Sequence, residues 1–171
     1  MFQTPKANRI HIGIFGRRNA GKSSLINALA GQNLSIVSPV AGTTTDPVEK
    51  AIEILPLGPV VLLDTAGIDD DGNRGSLRVE KTIAALKRTD LALLIFTSQT
   101  GFGEYEEKLV SWFNENKIAF ILIYHKSDLG EMPEQIKNKI KAYGWLPVSS
   151  KTGENINRLK GLMAPKAPAF F

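Results

Sequence analysis

Apolar residues follow two alternating rhythms along the chain. Short runs of period two, or of unbroken apolar character, are separated by stretches in which apolar residues recur every three or four positions. Arg9–Phe15 is the first short run, with Ile10, Ile12 and Ile14 predicted on one face of a strand. Lys22–Ala30 is predicted as a helix, and Gly31 suits the position just past its end. Val48–Leu55 and Val60–Asp64 read as two strands. The short Pro56-Leu57-Gly58-Pro59 connection allows a hairpin, and hence one antiparallel strand. Ser76 can cap a helix whose stripe is Val79, Ile83 and Leu86. Leu91–Phe96 is wholly apolar, as in a sheet covered on both faces. Then come a helix carrying Tyr105, Leu109, Trp112 and Phe113, the strand Ala119–Tyr124, and a helix with Ile136, Ile140 and Tyr143 that ends at Gly144. Leu146–Ser149 is a short last strand, and Ile156, Leu159 and Met163 mark a last helix. Two stretches keep neither rhythm: Gln32–Pro47, rich in Ser, Thr, Pro and Gly, and the acidic, Gly-rich Ile68–Gly75. The alternation predicts an α/β fold: a six-stranded, mostly parallel sheet with one antiparallel strand and helices on both faces.

Length and composition narrow this picture. A chain of 171 residues is one domain, expected over residues 1–163, with 164–171 starting a linker toward domains outside this chain. The absence of cysteine excludes a disulfide framework, a thiolate zinc site, a cysteine nucleophile and a thiolate-held iron–sulfur cluster within it. The longest apolar runs are far shorter than the roughly 20 residues a membrane helix needs, so no membrane association is expected. Met1–Ile10 lacks the apolar core of a secretion signal, and a cytoplasmic location is the expectation. The net charge of +4 suits an anionic ligand but is too small to demand one.

The chemistry begins at Gly16-Arg17-Arg18-Asn19-Ala20-Gly21-Lys22-Ser23: Gly, four residues, then Gly-Lys-Ser, placed after an apolar strand and opening a helix. Glycines let the backbone wrap a phosphate, and the helix N-terminus aims N–H groups and the positive end of its dipole at it. Lys22 is placed to reach β/γ-phosphate oxygens and Ser23 to ligate Mg²⁺, with Asn19, Ala20, Gly21 and Ser24 as further nucleotide contacts. Arg17 and Arg18 are expected to face solvent or a partner.

Four further elements follow in order. Asp64-Thr65-Ala66-Gly67 ends the third strand; Asp64 can hold Mg²⁺ through water, and the Gly67 N–H can meet a γ-phosphate. Gly42-Thr43-Thr44-Thr45-Asp46 lies in the long loop, where Thr44 can complete the Mg²⁺ shell when a γ-phosphate is present. His125-Lys126-Ser127-Asp128 follows the fifth strand. Asp128 can accept both the N1–H and N2–H₂ of guanine, whereas adenine leaves the carboxylate unpaired. Ser149-Ser150-Lys151 follows the last strand, its backbone N–H groups within reach of guanine O6, and the Lys126 stem can lie over the base. Each element sits at the carboxyl end of a strand, where ligands of such sheets bind.

These motifs, spanning about Ile10 to Met163, resemble a small G domain of the P-loop NTPase class. The Gly-x-x-Asn-x-Gly-Lys-Ser loop and the Gly-Thr-Thr element are similar to those of translation-factor-related GTPases typified by Era and by MnmE (TrmE). Leu55–Gly67, Thr43-Thr44-Thr45-Asp46-Pro47 and Arg78-Val79-Glu80-Lys81-Thr82 resemble a narrower family, the HydF GTPases of FeFe-hydrogenase maturation. That resemblance implies GTP/GDP, Mg²⁺ and K⁺ as cofactors. It also implies an iron–sulfur cluster-carrying domain of the same full-length protein, and hydrogenase maturation partners. Catalysis would fall to Lys22, Asn19, Thr44 and Gly67, with Asn19 holding the K⁺ as in MnmE-like enzymes. Two departures stand out: His125 replaces the usual Asn of the guanine element, predicting lower guanine affinity, and Ser150 replaces the usual Ala, predicted to be mild.

Many GTPases carry a Gln after the Asp-x-x-Gly element to orient water. Ile68 stands there, so slow intrinsic hydrolysis is expected unless a cation supplies charge. Asp69, Asp70 and Asp71 are weaker candidates for positioning that water. Two other functions stay open: an Era/MnmE-like GTPase acting on ribosome or tRNA, although no basic face with aromatics is legible and nucleic acid is not expected, and a nucleotide-dependent homodimerisation module.

Overall fold

A computed structural model describes residues 9–17, 20–31, 48–55, 57–65 and 83–166. Six strands form one sheet: β1 (Ile10–Gly16), β2 (Val48–Ile54), β3 (Gly58–Asp64), β4 (Leu91–Phe96), β5 (Ala119–His125) and β6 (Trp145–Val148), in the order β2-β3-β1-β4-β5-β6. Only β2 runs antiparallel, paired with β3 from Val48↔Asp64 to Ile54↔Gly58. The other neighbours pair in parallel. The helices are α1 (Lys22–Ala30), α2 (83–87), α3 (Glu104–Glu115), α4 (Glu134–Ile140) and α5 (Ile156–Lys166). The predicted α/β fold, six strands with one antiparallel, is the observed one.

Period two decides where each side chain goes. Ile10, Ile12 and Ile14 join Val60, Leu62, Leu91, Leu93, Ile95, Ile121 and Ile123 in a core closed by α1 and α5. The intervening residues Phe15, Ala92, Leu94, Phe96, Leu122 and Tyr124 build a second core with α2, α3 and α4. All six residues of β4 are buried because both faces are covered. Each such Leu, Ile or Phe contributes about 1.5–3 kcal/mol. The second core is the aromatic one: Phe15 meets Phe113 edge-on at 5.3 Å, and Phe96 meets Phe102 at 5.2 Å.

Several elements depart from expectation. β3 starts two residues early, at Gly58; Pro59, which has no N–H, is tolerated in the opening residues of the strand. In α2 the buried residues are Ala85 and Leu86, whereas Ile83 is exposed; Ser76 and Val79 lie outside the described residues. α4 stops at Ile140 rather than Gly144. Tyr143 lies beyond it, its N–H donating to the Ile140 carbonyl at 2.8 Å and its ring 5.8 Å from Phe120. α5 continues to Lys166, past the Met163 boundary expected for the domain. No helix among the described residues is long and apolar enough to cross a membrane.

The strand order positions the site. Chain connections leave β1 toward β3 on one side, while β4 lies on the other, so a crevice opens at the carboxyl end of β1. Register brings Ile14 level with Asp64 and Gly16 level with Ile95. Two strands away, His125 is level with Val148.

Candidate functional site

The phosphate side of the crevice is built largely by backbone. Gly21 precedes α1 with φ 94°, a left-handed conformation that a glycine accepts without strain. A Cβ there would also lie 2.5 Å from the His125 ring, so the position has room for nothing larger. Gly16 likewise passes so close to the Ile95 carbonyl that a Cβ would sit 2.7 Å from it. Lys22 is buried, its ammonium donating to the carbonyls of Gly16 (2.5 Å) and Arg17 (3.2 Å). Those carbonyls store the lysine over the loop it belongs to. Ser23 and Ser24 are exposed on the first turn of α1.

Asp64 is buried at the end of β3, where the Lys50 ammonium of β2 approaches it to 3.3 Å. The following Thr65 is also buried, its hydroxyl donating to the Ile14 carbonyl at 2.5 Å, which pins the strand end to β1. Ser23 and Asp64 offer hydroxyl and carboxylate oxygen only, the hard donor set that Mg²⁺ takes. Among the expected site residues, Asn19, Thr44 and Gly67 lie outside the described residues, as do Arg18, Ile68 and Asp69–Asp71.

The base side is built by side chains from two loops. Lys126 adopts φ 59°, turning the chain after β5 into a 3₁₀ turn over Ser127–Leu129. The exposed Asp128 carboxylate accepts from the buried Ser149 hydroxyl at 2.7 Å. That hydrogen bond holds the Asp128 carboxyl below its usual range, keeping it an acceptor. The Ser149 hydroxyl oxygen also accepts the Thr152 N–H at 3.1 Å, and the Gly153 N–H donates to the Ser149 carbonyl at 2.9 Å. Ser127 and Glu154 hydrogen-bond across the two loops. A cavity of about 270 Å³ opens between them, lined by Ser24, His125, Lys126, Asp128, Leu129, Ser150 and Lys151. Six of these seven were expected from the motifs; Leu129, exposed, is the addition.

His125 joins the two sides. It is 1% exposed, with Nδ1 2.8 Å from the Ala20 carbonyl of the phosphate loop and Nε2 2.7 Å from the Ser150 hydroxyl. Burial pushes its pKa below the ordinary 6.5, so the ring is neutral. The Ser150 hydroxyl is thus the hydrogen-bond partner of the other unusual residue.

Arg17 meets its expectation only in part, with a side chain that is 43% exposed. Rather than reaching only for solvent or a partner, it binds the fully buried Glu106 of α3, Nε to Oε2 at 2.9 Å, and lies over the Tyr105 ring at 5.0 Å. Glu106 also accepts the Gly103 N–H at 2.8 Å, capping α3. Tyr105 donates its hydroxyl to the Gly16 carbonyl at 3.4 Å. The phosphate loop is thus tied to α3. Sequence reasoning missed Glu106, Tyr105 and Lys50. The one available signal for Glu106 is its place three residues after Gly103 at a helix start, which marks a cap but not its arginine.

A phosphate loop at the switch point of the sheet, an acid at the end of β3 and a base cavity between two loops define a P-loop GTPase domain of the Era/Der/TrmE-like, translation-factor-related class. Residues 11–126, more than half of the chain, match the family described as 50S ribosome-binding GTPase, and the chain belongs to that family. It is 32% identical over 169 residues to GTPase Der of a Nitratiruptor species, covering 92% of this chain and 36% of that protein. With GTPase Der of Wolinella succinogenes it shares 34% over 164 residues, 90% of this chain and 35% of that one. The chain therefore spans little more than a third of the length of these relatives. Among solved structures, Era of Aquifex aeolicus bound to GDP and AlF4⁻ superposes with a TM-score of 0.71 at 26% identity, covering 93% of this chain and 57% of that one. Era in complex with MgGDPNP and a segment of 16S ribosomal RNA gives 0.70 at 27%, with the same coverage.

Proposed function

We propose that this chain is the GTP-hydrolysing switch of a longer protein that serves FeFe-hydrogenase maturation. The GTPase part of the reading is supported by the convergence of Lys22, Ser23, Asp64, Asp128 and Ser149–Lys151 at one end of one sheet. The Lys22 ammonium, held by two loop carbonyls, exchanges them for β/γ-phosphate oxygens. Ser23 and Asp64 would hold Mg²⁺, and Thr44 would join them when the γ-phosphate is present. Mg²⁺ supplies neutralisation of the charge on the β- and γ-phosphate oxygens. The Gly67 N–H marks the γ-phosphate, and loss of that phosphate on hydrolysis would release the segments that carry Thr44 and Gly67. The Ile68 side chain offers no hydrogen bond to water, so turnover would be slow unless K⁺, which Asn19 would hold, supplied positive charge beside the phosphates. Loss of the K⁺ response in Asn19→Ala, with Mg²⁺–GDP binding retained, supports this; an unchanged response refutes it.

The maturation role is carried by one observation, the run Leu55–Gly67 together with Thr43–Pro47 and Arg78–Thr82. A chain without cysteine leaves the cluster chemistry to another part of the full-length protein. Hydrogen evolution by an FeFe-hydrogenase expressed with its maturation proteins tests the role. Normal evolution without the full-length protein overturns it; loss that a Lys22→Ala version fails to restore supports it. A ribosome-associated role is the second reading, favoured by similarity to Der and to an Era solved with 16S ribosomal RNA. Salt-sensitive co-sedimentation of the full-length protein with ribosomal subunits supports that alternative.

A further inference from the structure

The buried ring of His125 has two partners of different kinds, and together they determine where its proton sits. The Ala20 carbonyl, 2.8 Å from Nδ1, can only accept, so Nδ1 carries the N–H. A neutral imidazole then has a bare Nε2. Its neighbour at 2.7 Å, the Ser150 hydroxyl, can donate, and does. The result is a directional chain: Ser150 O–H to Nε2, then Nδ1–H to the Ala20 carbonyl. It links the loop that follows β6 to the phosphate loop, and the tight packing of the ring against Gly21 keeps it from rotating.

An asparagine at this position has two amide N–H bonds, one for the phosphate loop and one for the acceptor N7 of guanine. His125 has one N–H, and Ala20 takes it. His125, Ser150 and Asp128 line one cavity, and guanine N7 lies on a different edge of the base from the N1–H and N2–H₂ that Asp128 can accept. We propose that His125 and Ser150 form one positioning unit in which guanine N7 is left unread and Ser150 holds the base loop against the phosphate loop through the ring. The inference rests on the guanine reading of this cavity. It predicts that selectivity over adenine comes from Asp128 and the backbone of the Ser149–Lys151 loop.

The test compares GDP, ADP and 7-deaza-GDP, in which N7 becomes C–H, by calorimetry on the full chain with Mg²⁺. The expected result is that GDP and 7-deaza-GDP bind within about twofold of each other, while ADP binds far more weakly. The double variant His125→Asn/Ser150→Ala, which restores the usual pair, regains a preference for GDP over 7-deaza-GDP of about fivefold or more. Ser150→Ala alone weakens both guanine ligands equally, by about three- to tenfold, and Ser150→Thr, which keeps the hydroxyl, does not. Nitrogen-15 spectra of the GDP complex at pH 7.5 report Nδ1 protonated and Nε2 bare.

Equal binding of ADP and GDP overturns the underlying guanine assignment. A wild-type chain that prefers GDP to ADP and also prefers GDP to 7-deaza-GDP overturns only the present inference. So does an Nε2–H signal in the GDP complex. An unaltered GDP affinity in Ser150→Ala removes its positioning role.

Discussion

The two halves of the nucleotide crevice recognise by different means. The phosphate half is made of main chain: Gly16, Ala20 and Gly21 bring backbone close, and Lys22 is stored on two carbonyls. The base half is made of side chains reaching between loops about 20 residues apart, Asp128 to Ser149 and His125 to Ser150. Backbone recognition constrains residue size and conformation, and leaves residues such as Arg17 to take up other tasks. Side-chain recognition constrains pairs. Both departures from the usual motif fall in the base half, and they touch each other.

The contrast can be broken or sharpened in order of expected effect. Gly21→Ala should hit both halves, since its Cβ meets the His125 ring at 2.5 Å on a backbone with φ 94°. Nucleotide affinity should fall by about 100-fold or more, read by calorimetry; a change under about tenfold would mean the loop yields easily. Asp128→Asn should confine its damage to the base half. GDP should weaken by about 10- to 100-fold, and xanthosine diphosphate, whose C2 carbonyl accepts the new amide N–H, should bind better. Equal loss of both would break the division of labour.

Glu106→Ala tests the phosphate half through its support. It frees Arg17 and uncaps Gly103, which should lower unfolding stability by about 1–3 kcal/mol in urea while the GDP to ADP ratio stays constant. Ser149→Ala removes the donor that keeps the Asp128 carboxyl below its usual range. The pKa then rises, and because guanine binding needs the carboxylate, GDP affinity should be lost at a higher pH than in the wild type as acid is added.

The smallest effect is on stability. The folded pKa of His125 is depressed, so the unfolded chain binds more protons between that value and about 6.5. The contribution is fully present above about pH 6.5 and is lost as pH falls toward the folded pKa. His125→Asn should flatten that limb in urea unfolding measured from pH 7.5 to 5.

Particular residues show how far the chain could be read in advance. The period-two pattern of Ile10, Ile12 and Ile14 placed one sheet face correctly, and β4 and α1 have the limits read from their apolar runs. Tyr143 misled because a residue at helical spacing can also pack from the turn beyond the helix, as it does against Phe120. Ile83 misled because a periodic stripe does not say how much of it the neighbouring layer covers.

What the sequence determined by itself was local: strand and helix periodicity, the Gly-rich turn into α1, the acceptor carboxylates of Asp64 and Asp128 and the donor hydroxyl of Ser149. These follow from backbone geometry and side-chain chemistry within a few residues. What the tertiary structure decided was above all pairing. Arg17 with Glu106 spans 89 positions, His125 with Ala20 spans 105, and Lys50 reaches Asp64 through the register of an antiparallel hairpin. Strand order and register set such distances, and a hydrogen bond exists only within a few tenths of an ångström. The proton on His125 is the clearest case: the sequence permits either tautomer, and one carbonyl at 2.8 Å selects between them.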